Sequence, residues 1–307
     1  MKLLITALTF VFVSLFTVPV CAQTTSYKEV QLTNNNYDDR YASYNKAGEV
    51  IVFESNRNGK WQIYTMDVNG NNVSRVMNSD ANDRRPTWHP FKNMILFESD
   101  RTGINELFTY NISERTLKKV PIDLKGNKMY GQFAPNGAEL VFNYKVRDNN
   151  YNIYIISKNG KRRKKIIDNA FENTYPRYTR RGEAILYFSK KNTKDINDEV
   201  YAYNIILKKE KRLTVSTVNN NFASWSNNGA RIAYSSTSEL GNQELFFMNK
   251  DGSSKRQITF NSGGSTLPSW SPKDINVLIT GQRNGHDQIC KILLKEEIII
   301  DDLDKDN

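Results

Sequence analysis

Short apolar runs and polar turns alternate along this chain at nearly regular intervals. In Arg85–Tyr110, RPTWHPFKNMILFESDRTGINELFTY, one strand ends at Trp88, a second covers Met94–Glu98 and a third covers Leu107–Tyr110. His89-Pro90-Phe91-Lys92-Asn93 and Ser99-Asp100-Arg101-Thr102-Gly103 are the turns between them. The second strand is apolar on both faces, which predicts a strand covered on both sides rather than one facing water. Such a unit needs neighbours, and the pattern recurs five more times. With the aromatic at Trp88 as a ruler, its counterparts are Tyr44, Phe133, Tyr178, Trp225 and Trp270, spaced by 44, 45, 45, 47 and 45 residues. Each precedes a turn (NKAGEV, HPFKNM, APNGAE, TRRGEA, SNNGAR, SPKDIN), and each turn precedes an apolar strand. A third strand follows in every copy: IYTM, LFTY, IYII, VYAY, LFFM, ICKI.

Repeats of this period built from four strands predict an all-β fold, a six-bladed β-propeller of four-stranded blades. The predicted domain spans residues 23–300. It follows a signal peptide over 1–22 and precedes an acidic tail over 301–307. Lys2, the apolar stretch Leu3–Val18 and the site Val20-Cys21-Ala22 are the features of a cleavable signal, with lipidation of Cys21 the rival reading. The expected location is therefore periplasmic or secreted, with no membrane span after processing. KEVQLT at 28–33 resembles the strand that ends other repeats (KRLT, RQIT) yet stands ahead of the first, so it is expected to close the ring in blade six. EIIID at 297–301 is its rival. After processing only Cys290 remains. It occupies an aromatic slot of the third strands, so it is expected to be a packing residue.

The pattern P-x-W-S-P, I-x-F-x-S, x-R-x-G, I-Y-x-M, R-x-L-T resembles the WD40-like (PD40) repeat of TolB-like propellers. The nearest matches are Leu267–Pro272, Phe97–Gly103 and Ile63–Asp67. The resemblance covers essentially the whole mature chain and implies a periplasmic protein-interaction platform of the cell envelope. TolB itself carries an N-terminal α/β domain, whereas here only residues 23–33 separate the expected cleavage site from the first repeat.

Charge and chemistry sharpen the functional expectation. The net charge is +10, and +9 without Lys2. Secretion argues against nucleic acid, so an acidic loop or peptide of an envelope protein is the expected partner, with an anionic glycan as the alternative. Part of the charge is expected simply to blunt outer strands, as at Lys118-Lys119, Lys164-Lys165 and Lys211-Arg212. Two histidines in different repeats, His89 in a surface turn and His286, offer little for catalysis or for a metal, and no G-x-S-x-G is present. A non-catalytic binder is expected, with no cofactor and no metal. The alternative is a glycan binder or polysaccharide lyase. The expected binding surface is one mouth of the ring, carrying Asp39, Arg40, Arg84, Arg85, Tyr130, Tyr175 and Phe222, with Arg57, Arg101 and His286 beside them.

Overall fold

The computed structural model describes residues 27–147, 150–191 and 197–294. The signal peptide, Cys21, the EIIID segment and the acidic tail lie outside the described residues. The first strand, β1 (Lys28–Gln31), precedes blade one, which is built from β2 (Asp39–Tyr44), β3 (Val50–Ser55), β4 (Gln62–Asp67) and β5 (Ser74–Arg75). Blade two has β6 (Asp83–Trp88), β7 (Met94–Ser99), β8 (Glu106–Asn111) and β9 (Thr116–Lys119). Blade three has β10 (Lys128–Phe133), β11 (Glu139–Arg147), β12 (Asn150–Ser157) and β13 (Arg163–Ile167). Blade four has β14 (Asn173–Tyr178), β15 (Ala184–Ser189), β16 (Glu199–Asn204) and β17 (Lys209–Arg212). Blade five has β18 (Asn220–Trp225), β19 (Arg231–Thr237), β20 (Gln243–Asn249) and β21 (Arg256–Gln257). Blade six contributes β22 (Thr266–Trp270), β23 (Asn276–Arg283) and β24 (His286–Leu293). All pairings within the six sheets are antiparallel between neighbours, and the chain is a six-bladed propeller.

Every inner strand ends on the aromatic ruler: Tyr44, Trp88, Phe133, Tyr178, Trp225 and Trp270. The indole Nε1 of Trp88 donates to the Ser43 carbonyl of blade one (3.2 Å), and that of Trp270 to the Ser224 carbonyl of blade five (3.3 Å). The second strands are buried almost throughout, because each is covered by a neighbouring blade on both faces. Apolar clusters accordingly lie between blades. One unites Leu96 and Leu107 of blade two with Phe133, Leu140 and Phe142 of blade three.

Strand β1 pairs with β24, Lys28 opposite Leu293 and Gln31 opposite Cys290, so the N-terminal strand completes blade six. Arg283, the last residue of β23, donates to the Glu29 carboxylate (2.6 Å) and fastens that strand. Cys290 is fully buried in the cluster between blades five and six. Lys118 and Lys119, Lys164 and Lys165, and Lys211 and Arg212 fall on the outermost strands of their blades.

Each inner strand also carries a break in its pairing, after Arg40, Arg84, Met129, Thr174, Asn221 and Thr266. The residue that follows has a left-handed backbone in all six: Tyr41, Arg85, Tyr130, Tyr175, Phe222 and Leu267, with φ between 49° and 57°. Side chains other than glycine rarely adopt this conformation, which costs on the order of 1 kcal/mol per residue. Its effect is to turn one side chain per blade out of the sheet, as β-bulges do.

Candidate functional site

The six bulge residues meet on the ring axis. Tyr130 and Tyr175 pack edge to face at 5.7 Å, and Tyr175 meets Phe222 in the same way at 5.2 Å. Leu267 joins their cluster, together with Phe188 and Tyr41. The Arg85 guanidinium lies 4.3 Å above the Tyr130 ring and 5.6 Å above that of Tyr41. Together they plug the channel.

The plug is held from behind by the second strands. The Arg85 amide donates to Glu54 of blade one (2.6 Å), the Tyr130 amide to Glu98 of blade two and the Tyr175 amide to Asn143 of blade three (3.1 Å). Arg85 Nη1 also donates to Glu98 (2.6 Å). Burial lifts both glutamates above the usual carboxylate range, and the Arg85 charge offsets only part of that rise.

On one side of the plug the channel widens into a chamber of about 630 Å3. Its floor includes Tyr41, Arg85, Tyr175 and Leu267, and its wall includes an equivalent residue from each inner strand: Ser43, Thr87, Gln132, Arg177, Ser224 and Ser269. The turns joining first and second strands form its rim and touch one another around the circle. Lys46 lies over Phe91 (4.5 Å), His89 packs on Phe133 (4.5 Å), and Arg180 donates to the Asn227 carbonyl (3.1 Å). The Asn227 amide in turn donates to Asp274 (2.6 Å). A β-carbon on Gly182 would lie 3.5 Å from Pro135, and one on Gly48 the same distance from Pro272.

The chamber is cationic. Lys46, Arg85, Arg177 and Arg180 line it, and no aspartate or glutamate does. Arg85 is neutralised by Glu98, whereas Arg177 forms no ion pair among the described residues. Arg177 is only 8% exposed. Its guanidinium stacks on Tyr175 at 3.7 Å, and its Nη1 donates to the carbonyls of Pro176 (2.9 Å) and Tyr130 (3.4 Å). Nε and Nη2 make no hydrogen bond within the described protein. The hydroxyls of Ser43 and Ser224 are also enclosed without a partner.

The residues expected at one mouth divide into two groups. Arg85, Tyr130, Tyr175 and Phe222 come together, as the plug. Arg40, Arg57, Arg84, Arg101 and His286 stand at the end of the ring away from the chamber, in local pairings. Arg57 binds the fully buried Asp39 (3.1 Å) and Arg101 the fully buried Asp83 (2.8 Å), each within its own blade. Arg40 lies between Glu54 and Asp287 and, with Arg84, over the Trp61 ring. His286 Nδ1 is 3.5 Å from Asp38. His89, expected on the surface, is buried instead. Its Nδ1 accepts the amides of Phe91 and Lys92 (3.1 Å each) within the turn, whereas the hydroxyls of Ser226 and Ser271 at the same position accept the amide five residues on, at the start of the second strand. Arg177 was not expected at all. Its signal is visible only once the six wall positions are aligned, because it is the single charged residue among them.

Comparison with solved structures places this geometry among known propellers. The chain is similar to TolB from Acinetobacter baumannii (20% identity, TM-score 0.67), covering 83% of this chain and 63% of that one. A structure described as a TolB from Agrobacterium tumefaciens is 21% identical (TM-score 0.61), with 68% and 73% covered. An oligogalacturonate lyase in complex with manganese is 12% identical (TM-score 0.61), with 90% and 96% covered. The likeness is one of fold. No family model matches the chain, and no curated protein does either. Among the described residues no group of three or more His, Cys, Asp and Glu side chains is placed to hold a metal ion, and no helix is long and apolar enough to cross a membrane.

Proposed function

We propose that this chain is a non-catalytic propeller of the cell envelope that holds an acidic segment of a partner protein in its axial chamber. The observation that carries this reading is the chamber lining, which combines several cations with no carboxylate. A concave site of this size with a polar lining and a net positive wall suits an anionic ligand. The histidines support binding over chemistry. His89 is occupied in its turn, and His286 belongs to the other end of the ring. The envelope setting rests on the signal-like N-terminus and the resemblance to TolB.

A fluorescent oligoglutamate peptide should bind with an affinity that falls as salt rises, and oligolysine should not bind. Lys46→Glu with Arg180→Glu, both exposed on the rim, should weaken that binding about tenfold or more, because each reversal costs on the order of 1 kcal/mol. Folding should be preserved. Equal binding by the reversed variant would refute the chamber as the site. The same lining suits a polyanionic sugar, so oligogalacturonate should be assayed in parallel. Unsaturated products released from it would replace the scaffold reading with an enzymatic one.

A further inference from the structure

The chamber is blind. A chain entering past the rim meets the Tyr41, Arg85, Tyr175 and Leu267 floor and cannot thread through. From the floor to the rim an inner strand runs three residues, roughly 10 Å at the usual strand rise. A loop would have to bring two chain segments into that depth side by side, whereas a chain end needs room for one.

What waits at the inner end is Arg177. Two of its nitrogens are uncommitted, the side chain is largely buried, and Tyr175 fixes the plane of the guanidinium. A guanidinium edge with parallel N–H donors matches a carboxylate. The inner strands are sheet edges, but the amides of Arg85, Tyr130 and Tyr175 and the carbonyls of Ser43, Tyr130 and Ser224 are already engaged by neighbouring residues, so recognition falls to the chain end and not to strand addition.

We propose that the chamber receives the free C-terminal carboxylate of a partner polypeptide, entering end-on, with Arg177 as its receptor and specificity-determining residue. This rests on the binding reading above and narrows it from an acidic segment to a chain terminus.

The test uses the full chain and two pools of randomised N-acetylated hexapeptides, one with free C-terminal carboxylates and one with C-terminal amides. Bound peptides are measured by mass spectrometry after equilibrium dialysis. The free acids should be retained about tenfold or more over the amides, the difference expected for one lost charge-assisted contact. Arg177→Gln should abolish the preference and Arg177→Lys should keep part of it. If Arg177→Gln does not fold, the acid–amide comparison on the unaltered chain decides alone. Equal retention of the two pools, through their Asp and Glu side chains, would overturn the terminus and leave the acidic-segment reading standing. Retention of neither pool would overturn both. Oligogalacturonate bound in preference to either pool would also overturn the proposal.

Discussion

Arg85 and Glu98 face each other at 2.6 Å beside the ring axis, the one a plug residue of blade two, the other on the second strand of the same blade. Glu98 simultaneously accepts the amide of Tyr130 in blade three, so one carboxylate ties two blades to the plug. Glu54 does the same for Arg85 from blade one.

Replacing Arg85 with Leu leaves both glutamates buried without their main cation. At neutral pH the loss should be about 3 kcal/mol. Burial already holds both carboxyls above their ordinary range, and without Arg85 they rise further. Below the raised values both are neutral, so the penalty fades on acidification and returns as pH rises through them. Arg85→Leu with Glu98→Gln should recover most of the loss. Thermal melts of the three proteins across pH 4–8 check this, and a penalty that grows on acidification would contradict it.

Arg101 and Arg84 give an internal contrast. Arg101→Ala strands the fully buried Asp83 and should cost about 3 kcal/mol. Arg84→Ala removes a side chain over Trp61 that forms no ion pair among the described residues and should stay within about 0.5 kcal/mol. Denaturation midpoints distinguish the two, and similar losses would refute the ion-pair argument.

The imidazole of His89 is held below its usual range, first by burial and then by the nearby Lys92 charge. A depressed value means the native state favours the neutral ring. The associated stability is complete above pH ~6.5 and is lost as pH falls through the folded value. His89→Ser, which places there the hydroxyl residue that Ser226 and Ser271 supply in their own turns, should flatten this dependence. An NMR titration of the His89 ring showing a value at or above the ordinary one would refute the assignment.

Removing residues 23–33 takes away β1 and exposes the β24 edge. The truncated chain should melt more than about 5 °C lower, since several kcal/mol of pairing and packing are lost, and should aggregate through the open edge. Light scattering and melting curves check both. A melting point within a degree or two of the intact chain would show that blade six does not need β1.

The repeat architecture was legible because the inner strands all end on an aromatic followed by a polar turn, a local pattern that survives in sequence. The convergence of Arg85, Tyr130, Tyr175 and Phe222 was legible too, from their equivalent positions at the start of each repeat. Their depth was not. Tyr, Arg, Phe and Leu carry no mark of a left-handed backbone as glycine would, so the bulges that turn them onto the axis were hidden. An arginine facing solvent and one bound to a buried aspartate also read alike. Arg57 and Arg101 therefore looked like mouth residues, and nothing in the sequence marked Arg85 as the cation beside two buried carboxylates. Arg85→Glu would place a third carboxylate beside Glu54 and Glu98.

The pairing of β1 with β24 also dictates an order of events. Blades one to five are each made from consecutive strands and can form as soon as their own residues are available. Blade six cannot, because its outer strand is the first piece of the described chain and its remaining strands are the last. Zipping these distant segments is a slow, non-local step, and until it happens the ring has an open seam between blades six and one. Leu267 comes from blade six, so the axial plug, and with it the floor of the chamber, reaches its final form only when that seam shuts. A nascent or refolding chain should therefore acquire most of its strand content well before it can bind anything.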